Sequence, residues 1–373
     1  MNLPLVSVIM STYNHANFVK QSIESVLMQE GVNFEFLIAD DGSVDSTRDV
    51  IASIKDERIK FFPNTINRGA GIVTNELINR ATGEFIALIN SDDYWSCSDK
   101  LAYQLKIMRG NPDIAACFGK ANFVDKSGVT IDKTTLSFGT IFDQQNRSQA
   151  LWLRRFFELG NCICHPTMLI RKSCYEDVGL YNNRLRQLPD FEMWIQLIKK
   201  YPIYISDREL IHFRILPGEN ASTQTPSNSI RTINEHYLIA ENFFNDVTRE
   251  QLIEGFSDYL VHKNILTAEA LDIEKTLLYF YENQWLGKPY KMIGLLKMNQ
   301  LLNSTVHREL LASSYDIDER WFHNKMGDVD VLISKLNANV SQGTHLIQSQ
   351  WKKLFAHFNN HFLKKRKNLK NKI

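Results

Sequence analysis

Two adjacent acidic residues, Asp92 and Asp93, follow an apolar segment that ends at Ile89. Two like charges side by side repel each other, and a strand end that binds nothing gains little from them. Mg²⁺ and Mn²⁺ prefer oxygen ligands and would offset this repulsion, so the pair indicates a cation site. The alternative is structural: a strand runs into a helix near Ser98, with an acidic residue as the helix cap. This segment alone does not decide between the two.

Two further polar clusters follow apolar segments in the same way. Thr12, Tyr13 and Asn14 come after the first apolar segment of the chain, and Asp40 and Asp41 end the second, "FEFLIAD". In open α/β sheets, ligands bind beyond the carboxyl ends of the strands. We therefore expect both clusters to meet the acidic pair along one edge of a sheet. Three separated clusters with the same placement favour a binding site over chance.

The elements that would position these clusters alternate between strand and helix. The segments "VSVIM", "FEFLIAD", "IKFFP" and "EFIALIN" are predicted strands, and helical patterns separate them. This alternation with short links predicts parallel βαβ units in an α/β fold with a doubly wound, Rossmann-like sheet. Gly83 is predicted to end the third helix as its C-cap. Residues 110–225 are less regular, with short strands and a helix in "PDFEMWIQLIKKY".

The chain length of 373 residues suits two domains. Residues 217–229 are rich in Pro, Gly, Ser and Asn, which indicates a loop or boundary, and a helical period follows. We therefore predict an α/β domain over residues 1–225, an all-helical domain over residues 226–345 and a tail over residues 346–373. The helical domain is also the part that we expect to support a homo-oligomer.

Basic residues are concentrated at the end of the chain. From Val331 onward there are nine Lys or Arg and no Asp or Glu, whereas the rest carries 34 basic and 42 acidic residues. In residues 346–373 an aromatic stripe precedes "KKRKNLKNK", which favours contact with an anionic membrane surface. The alternative is a packed terminal helix with a solvated end. Such a short basic run on an acidic body argues against nucleic acid as a partner.

The composition points to a soluble globular protein, with 44% hydrophobic and 23% charged residues. No run of about 18 apolar residues and no basic leader occurs, so neither a membrane span nor a signal peptide is expected. The five cysteines, odd in number and sparse, indicate reduced thiols. We therefore expect a cytoplasmic protein, peripheral on the inner face of the cell membrane if the tail binds there.

Five segments occur in the order and spacing of the family 2 glycosyltransferases of the GT-A fold, and the chain resembles these enzymes from residue 3 to about residue 216. They are "VSVIMSTYN", "SIESVLMQ", "IADDGSVDST", "NRGAGIVTNELINRATGEFIALINSDD" and "LPDFEMW". Similar bacterial enzymes build capsule, lipopolysaccharide or exopolysaccharide. The resemblance implies a mixed, mainly parallel sheet flanked by helices. It also implies a hexosyltransferase that moves a sugar from a nucleotide sugar, with UDP expected, to a hydroxyl of a saccharide or lipid-linked acceptor.

The resemblance gives roles to the residues already singled out. Thr12 and Tyr13 look like the residues that hold the base, and Asp41 looks like the acid that hydrogen-bonds it. Asp92 and Asp93 look like the D-x-D-type site for metal and nucleotide sugar, with Asp93 as the ligand of Mn²⁺ or Mg²⁺. The implied enzyme is therefore metal-dependent.

Four further residues complete the predicted nucleotide-sugar site: Asn14 in the first cluster, Asn67 and Arg68 after the third strand, and Arg214 in "HFRIL". An arginine at either place is suited to a phosphate, although a solvated side chain is the alternative. His212, in the same segment as Arg214, could approach the metal or the diphosphate.

The catalytic base is expected at the start of a later helix. The similar enzymes have a Glu-Asp pair there, whose Asp removes the proton from the acceptor hydroxyl; here the pair reads Pro189-Asp190. Asp190 therefore fits the base, and Pro189 departs from the pattern, so a neighbouring carboxylate is missing. Glu192 is the alternative base. Attack opposite the leaving diphosphate would invert the anomeric centre, with no covalent nucleophile.

Two other classes of protein remain as alternatives. A catalytically degenerate binding protein on the same fold is suggested by Pro189. A nucleotidyltransferase would carry a glycine-rich loop with Lys or Arg after the first strand, but the sequence there is "STYNHANF". The nucleotidyltransferase is therefore disfavoured.

Overall fold

The computed structural model describes residues 5–218, 225–281 and 286–329. It contains two compact units, Met1–Leu266 and Thr267–Ile373. The first unit contains the sheet and all of the predicted site residues.

One half of the sheet consists of four parallel strands in the order β3-β2-β1-β4. They are β1 (Val6–Thr12), β2 (Phe34–Asp40), β3 (Ile59–Pro63) and β4 (Phe85–Leu88). β1, β2 and β4 are near-continuous apolar runs because helices cover both faces of a parallel sheet. The predicted parallel βαβ arrangement is confirmed for this half.

The other half is mixed, in the order β4-β8-β6-β9-β5, with β7 paired to β6. Its strands are β5 (Tyr94–Trp95), β6 (Ala116–Val124), β7 (Thr130–Ile131), β8 (Leu169–Arg171) and β9 (Ile203–Arg214). β8 is antiparallel to both β4 and β6, whereas β6 and β9 are parallel. The expected mixed, mainly parallel sheet is therefore present. In the part of the chain where short strands are predicted, β9 is a single strand of 12 residues.

Nine helices of the first unit lie within the described residues. They are α1 (Val19–Leu27), α2 (Thr47–Ser53), α3 (Ala70–Arg80), α4 (Lys100–Gly110), α5 (Gln149–Leu159), α6 (Cys174–Val178), α7 (Pro189–Lys200), α8 (Pro226–Glu241) and α9 (Arg249–Phe256). The sequence pattern indicated α7 clearly but not α5, which lies in the less regular part of the chain.

The first unit extends beyond the predicted boundary at 225/226. Phe157 on α5 packs against Phe244, with ring centroids 4.7 Å apart, and against Phe256 at 6.0 Å. The Gln251 side chain on α9 donates to the carbonyl oxygen of Lys199 on α7 at 2.9 Å. Because α9 and the segment between α8 and α9 pack on α5 and α7, the division between the units falls after Leu266.

The second unit is helical, as expected. Its described helices are α10 (Ala268–Leu277), α11 (Lys288–Leu302), α12 (Thr305–Ser314) and α13 (Glu319–Asp328). A small apolar core contains Ile273, Met298, Leu311 and Ile317. The basic tail, residues 346–373, lies outside the described residues. Within the described ranges, no helix is long and apolar enough to cross a membrane.

The role predicted for Gly83 is wrong. α3 ends at Arg80, with Ala81 as the capping residue. The N–H of Gly83 instead donates to Oγ of Ser7 at 2.8 Å. A Cβ at position 83 would lie 2.6 Å from the Ser7 nitrogen, so glycine is needed where the chain enters β4 close to β1.

Candidate functional site

The acidic pair lies immediately before β5, a short strand antiparallel to β9. α4 begins only at Lys100, and Asp99 occupies its N-cap position. Asp92 and Asp93 therefore do not cap this helix, and the structural alternative for them is wrong. Asp93 is 1% exposed and Asp92 is 9% exposed. The pair therefore places two carboxyl groups in a buried position beside the edge strand β5.

Asp93 is held by partners from two parts of the chain. Its Oδ1 accepts from the backbone N–H of Arg214 at 2.8 Å, and its Oδ2 accepts from the side-chain amide of Asn90 at 2.9 Å. Burial and the adjacent charge of Asp92 raise the pKa of Asp93 well above its usual range. A positive ion beside the pair would remove this penalty.

Helix α1 fixes the main chain of the acidic segment. Oγ of Ser22 donates to the carbonyl oxygens of Ser91, at 2.9 Å, and Asp93. Oγ of Ser25 accepts from the backbone N–H of Trp95 at 3.1 Å. Neither serine is among the predicted site residues. The sequence signal is that Ser22 and Ser25, two small polar residues at i and i+3, interrupt the apolar face of α1.

The hydroxyl of Thr12 is available to a ligand. Thr12 is buried at the end of β1, and its Oγ1 has no hydrogen-bond partner within the described part of the chain. Buried polar atoms are nearly always paired, so an unpaired one at a strand end is a candidate for a ligand contact. Tyr13, the next residue, is exposed. Asn14 adopts a φ of 54°, and its side chain accepts from the N–H of Val44 at 2.9 Å.

Asp41 joins two of the loops at this edge. Its Oδ1 accepts from the N–H of Arg68 at 2.9 Å and its Oδ2 from the N–H of Gly69 at 2.8 Å. Both oxygens therefore hold the turn before α3. The predicted contact of Asp41 with a base stays a prediction, since a carboxylate oxygen can accept a second hydrogen bond.

Two predicted phosphate contacts have other partners in this structure. Arg68 forms a bidentate pair with Glu76, at 2.6 and 2.7 Å, while Asn67 is exposed in the same turn. Arg214 is buried, and its guanidinium donates to the carbonyl oxygens of Asp92 and Lys126, both at 2.8 Å. Arg214 thus supports the acidic pair from behind. Phosphate contacts of both arginines stay predictions.

His212 lies beside the acidic pair. Its ring stacks on Tyr94, with centroids 4.6 Å apart. Burial lowers the pKa of His212, which favours the neutral ring. Its Nδ1 atom is buried and has no partner among the described residues. This nitrogen is a second buried polar atom, after the Thr12 hydroxyl, without a partner in the described part of the chain.

Asp190 lies in the first turn of α7, directly after Pro189. Its Oδ2 accepts from the side-chain amide of Asn161 at 2.8 Å, and its Oδ1 accepts from the N–H of Phe191 at 2.8 Å. Burial raises the pKa of Asp190 to about 6. A carboxylate with a pKa close to neutral is suited to accept a proton from a hydroxyl.

Asp93 and Asp190 lie in the same region of the unit. Both carboxylates act, after burial itself, to raise the pKa of the buried thiol of Cys164. Asp93 and Asp190 therefore both lie within electrostatic range of this thiol, although 97 positions separate them in sequence. The five cysteines are free, as expected.

The alternative base, Glu192, faces elsewhere. Its Oε1 accepts from the side-chain amide of Asn182 at 3.2 Å, and it lines a surface cavity of about 490 Å³. Asp190 and Glu192 therefore have separate partners and face different surroundings.

His165 is a packed residue. Its Nε2 is 2.8 Å from the hydroxyl of Tyr181, and burial lowers its pKa to about 4.

The residues present fit a divalent cation of the Mg²⁺ or Mn²⁺ type. In the described ranges, no group of three or more His, Cys, Asp or Glu side chains could enclose a metal. A cation that acts on a diphosphate needs no such enclosure, because one or two carboxylates and the substrate phosphates complete its shell. Asp93 and the adjacent Asp92 supply such carboxylates. The charge of Asp92 contributes to the raised pKa of Asp93, and a bound cation would offset that contribution.

The sheet, parallel in one half and mixed in the other, has the GT-A fold. The fold is shared with S. aureus TarS, solved in complex with UDP-GlcNAc. The TM-score is 0.52 at 17% identity, and the match covers 87% of this chain and 80% of that one.

Residues 7–178 form a domain that matches the Glycosyl transferase family 2 model. An uncharacterised glycosyltransferase of Methanocaldococcus jannaschii is 28% identical over 255 residues, which is 66% of this chain and 84% of the relative. TuaG of Bacillus subtilis, named for teichuronic acid biosynthesis, is 29% identical over 59% of this chain and 83% of its own. WfgD of Escherichia coli, a UDP-Glc:GlcNAc-diphosphoundecaprenol β-1,3-glucosyltransferase, is 37% identical over 34% of this chain and 49% of its own. The protein is therefore a glycosyltransferase.

Proposed function

We propose that this glycosyltransferase is an inverting, metal-dependent hexosyltransferase. Its donor is a UDP-sugar, and its acceptor is a hydroxyl of a saccharide or lipid-linked saccharide in bacterial surface polysaccharide synthesis. The observation that carries the proposal is Asp190, a carboxylate in the first turn of α7 that accepts hydrogen bonds from Asn161 and the Phe191 N–H. Burial raises its pKa to about 6, which suits a general base. The names of TuaG and WfgD support the polysaccharide assignment.

The donor end of the site is formed by the strand ends. Thr12, Tyr13 and Asp41 would bind the base and ribose, with the open hydroxyl of Thr12 as the clearest donor or acceptor. Asn14, Asn67, Arg68 and Arg214 are the further residues proposed for the nucleotide sugar. Asp93 would hold the metal, and Asp92 would reach the ribose or the ion through water. The bound Mn²⁺ or Mg²⁺ would supply positive charge to the diphosphate as it leaves.

The acceptor end is formed around α7. Asn161 and the N–H of Phe191 donate to the two oxygens of the Asp190 carboxylate and so fix its orientation. In this orientation Asp190 would accept the proton of the acceptor hydroxyl. As the acceptor oxygen forms its bond to the anomeric carbon, its O–H bond breaks and Asp190 takes the proton. The bond from the anomeric carbon to the diphosphate oxygen breaks with its electron pair, so UDP leaves. Attack from the opposite face inverts the anomeric centre.

A cavity near the start of α7 favours a lipid-linked acceptor. It has a volume of about 390 Å³, and its walls include the charged Arg184, Arg186 and Arg231. Ile230 and Leu238, both exposed, lie on the same walls. Guanidinium groups bind phosphate and apolar side chains bind a hydrocarbon chain, so the lining suits a molecule with both. Such an acceptor would place the enzyme at the inner face of the cell membrane.

A screen of nucleotide sugars tests the proposal. We expect UDP-sugars to raise Tm of the full-length protein when Mn²⁺ is present and to raise it less without Mn²⁺, because a bound ligand stabilises the folded state. The UDP-sugar with the largest shift should also release UDP slowly in the presence of Mn²⁺. Binding without any release would favour the degenerate binding protein. No shift and no release with any nucleotide sugar would reject the proposal.

A further inference from the structure

Glu235 is a buried carboxylate that our sequence analysis did not single out. It lies on the buried face of α8 and is 4% exposed. Its Oε1 accepts from the N–H of Arg186 at 2.8 Å. Its Oε2 accepts from the N–H of Gln187 at 2.8 Å and from the N–H of Leu188 at 2.9 Å. One carboxylate therefore binds three consecutive backbone N–H groups.

These three N–H groups directly precede α7, the helix that carries Asp190. Leu188 is the N-cap residue of α7 and makes no side-chain cap of its own, and Pro189 is the first helical residue. A carboxylate at this place also faces the positive end of the α7 dipole. Hydrogen bonds to an ionised acceptor are stronger than neutral ones, so Glu235 fixes the path by which the chain enters the helix. Asp190 is two residues beyond the last of these contacts.

The sequence lacks a carboxylate where the similar enzymes have one. Proline at position 189 has neither a carboxylate nor a backbone N–H. Glu235 supplies negative charge from a different helix, 45 positions beyond Asp190 in the sequence. It is among the charges that raise the pKa of Asp190, although burial is the largest cause.

We propose that Glu235 is a positioning residue for Asp190, which fixes residues 186–188 and places the negative charge that Pro189 does not supply. This inference rests on the proposed function of Asp190 as the base. Glu235 is assigned no contact with the acceptor hydroxyl or the anomeric carbon. Its effect passes through the backbone that leads into α7 and through its charge.

Other charged and titratable groups face the two carboxylates. Asp190 interacts electrostatically with the thiol of Cys164 and the hydroxyl of Tyr181, both of which burial keeps neutral by raising their pKa values. Arg184, Arg186 and Arg231 line the cavity that Glu235 also lines. The charge of Glu235 itself acts to raise the pKa of Asp190.

Hydrogen exchange tests the contact independently of turnover. Glu235→Gln replaces one acceptor oxygen by an NH₂ group, so at least one of the three N–H groups loses its partner. We expect the amides of residues 186–192 to exchange at least about tenfold faster in this variant. The control is Glu241→Gln, which changes an exposed carboxylate on the same helix and should leave exchange unchanged. Unchanged exchange in Glu235→Gln would overturn the proposal.

Kinetics tests the consequence for the base. With a UDP-sugar that the protein turns over and with Mn²⁺, we expect Glu235→Gln to lower kcat about tenfold and to leave the donor KM almost unchanged. The acidic limb of its pH profile should move to lower pH, because a negative charge beside Asp190 is lost. Glu235→Asp keeps the charge but shortens the side chain, so it should lower kcat without moving the limb.

The two hypotheses fail in different ways. If Asp190→Asn leaves turnover unchanged, the proposed base is wrong, and exchange still decides whether Glu235 holds the segment. If Asp190→Asn abolishes turnover but Glu235→Gln keeps the wild-type kcat and pH profile, only the role of Glu235 is wrong. A loss of kcat without a shift of the pH limb would reject the charge effect and leave a packing role.

Discussion

Oδ1 of Asp93 accepts a hydrogen bond from the backbone N–H of Arg214 at 2.8 Å, across 121 positions of sequence. The pairing of β5 with β9 makes this contact possible, since it places Tyr94 opposite His212. The guanidinium of Arg214 then returns to the carbonyl oxygen of Asp92. The last residue of β9 therefore holds both members of the acidic pair, and the geometry of the pair depends on the second half of the sheet.

Arg214→Lys should lower stability as well as activity. Lysine has no planar fork of donors, so some of the carbonyl oxygens that Arg214 contacts would lose their partners, at a cost of about 2 kcal/mol. We expect a lower Tm in the absence of any ligand, measured by thermal unfolding. Arg208→Lys, on the same strand, is the control. Arg208 is half-exposed and pairs with the exposed Asp99, so this substitution should lower Tm less than Arg214→Lys does. If Tm is unchanged and only UDP affinity falls, Arg214 is chiefly a phosphate ligand.

Thr12→Val should weaken nucleotide binding without destabilising the protein. The Thr12 hydroxyl has no partner among the described residues, so the fold loses no hydrogen bond when it is replaced. A lost ligand contact of about 1 kcal/mol would raise Kd for UDP about fivefold, measured by calorimetry with Mn²⁺ present. Thr74→Val, another buried threonine close to β1, should leave Kd unchanged. An unchanged Kd in Thr12→Val would exclude this hydroxyl from the nucleotide site.

Stability should depend on pH through Asp190. Its pKa is raised from 3.8 to about 6 in the folded state, so the folded state binds more protons than the unfolded state between these values. Stability of the wild type therefore falls as pH rises through this window. Asp190→Asn lacks this loss, so we expect it to be more stable by about 1–3 kcal/mol at pH 8 and by much less at pH 4. Denaturant unfolding at the two pH values measures the difference. If the difference in stability between Asp190→Asn and the wild type is the same at both pH values, the raised pKa of Asp190 is contradicted.

Much of the first half of the fold could be predicted from the sequence. Apolar runs that end in polar residues identify β1, β2 and β4, and the rule for ligands at carboxyl ends then places Thr12 and Asp93 at one edge. These inferences need only local patterns. They could not give the partners of each side chain, because those come from distant parts of the chain.

Most of the contacts that were not predicted join distant parts of the chain, although one is local. Arg68 pairs with Glu76, and Arg214 is directed to the backbone behind Asp92 rather than outward. Glu235 holds residues 186–188 from α8, a helix that the sequence assigned to another domain. A pattern of residue types does not specify which of several chemically suitable partners a charged side chain will meet.

Metal-dependent release of UDP from a UDP-sugar, compared between the wild type, Asp190→Asn and Asp93→Asn, tests the central claim most directly. We predict that Asp190→Asn lowers kcat by at least about 100-fold while Kd for UDP with Mn²⁺ stays within about twofold. Asp93→Asn keeps an oxygen for the Arg214 N–H but loses the charge, so it should remove the dependence on Mn²⁺ together with turnover. Full turnover in either variant, with its usual response to Mn²⁺, would contradict the roles assigned to these two carboxylates.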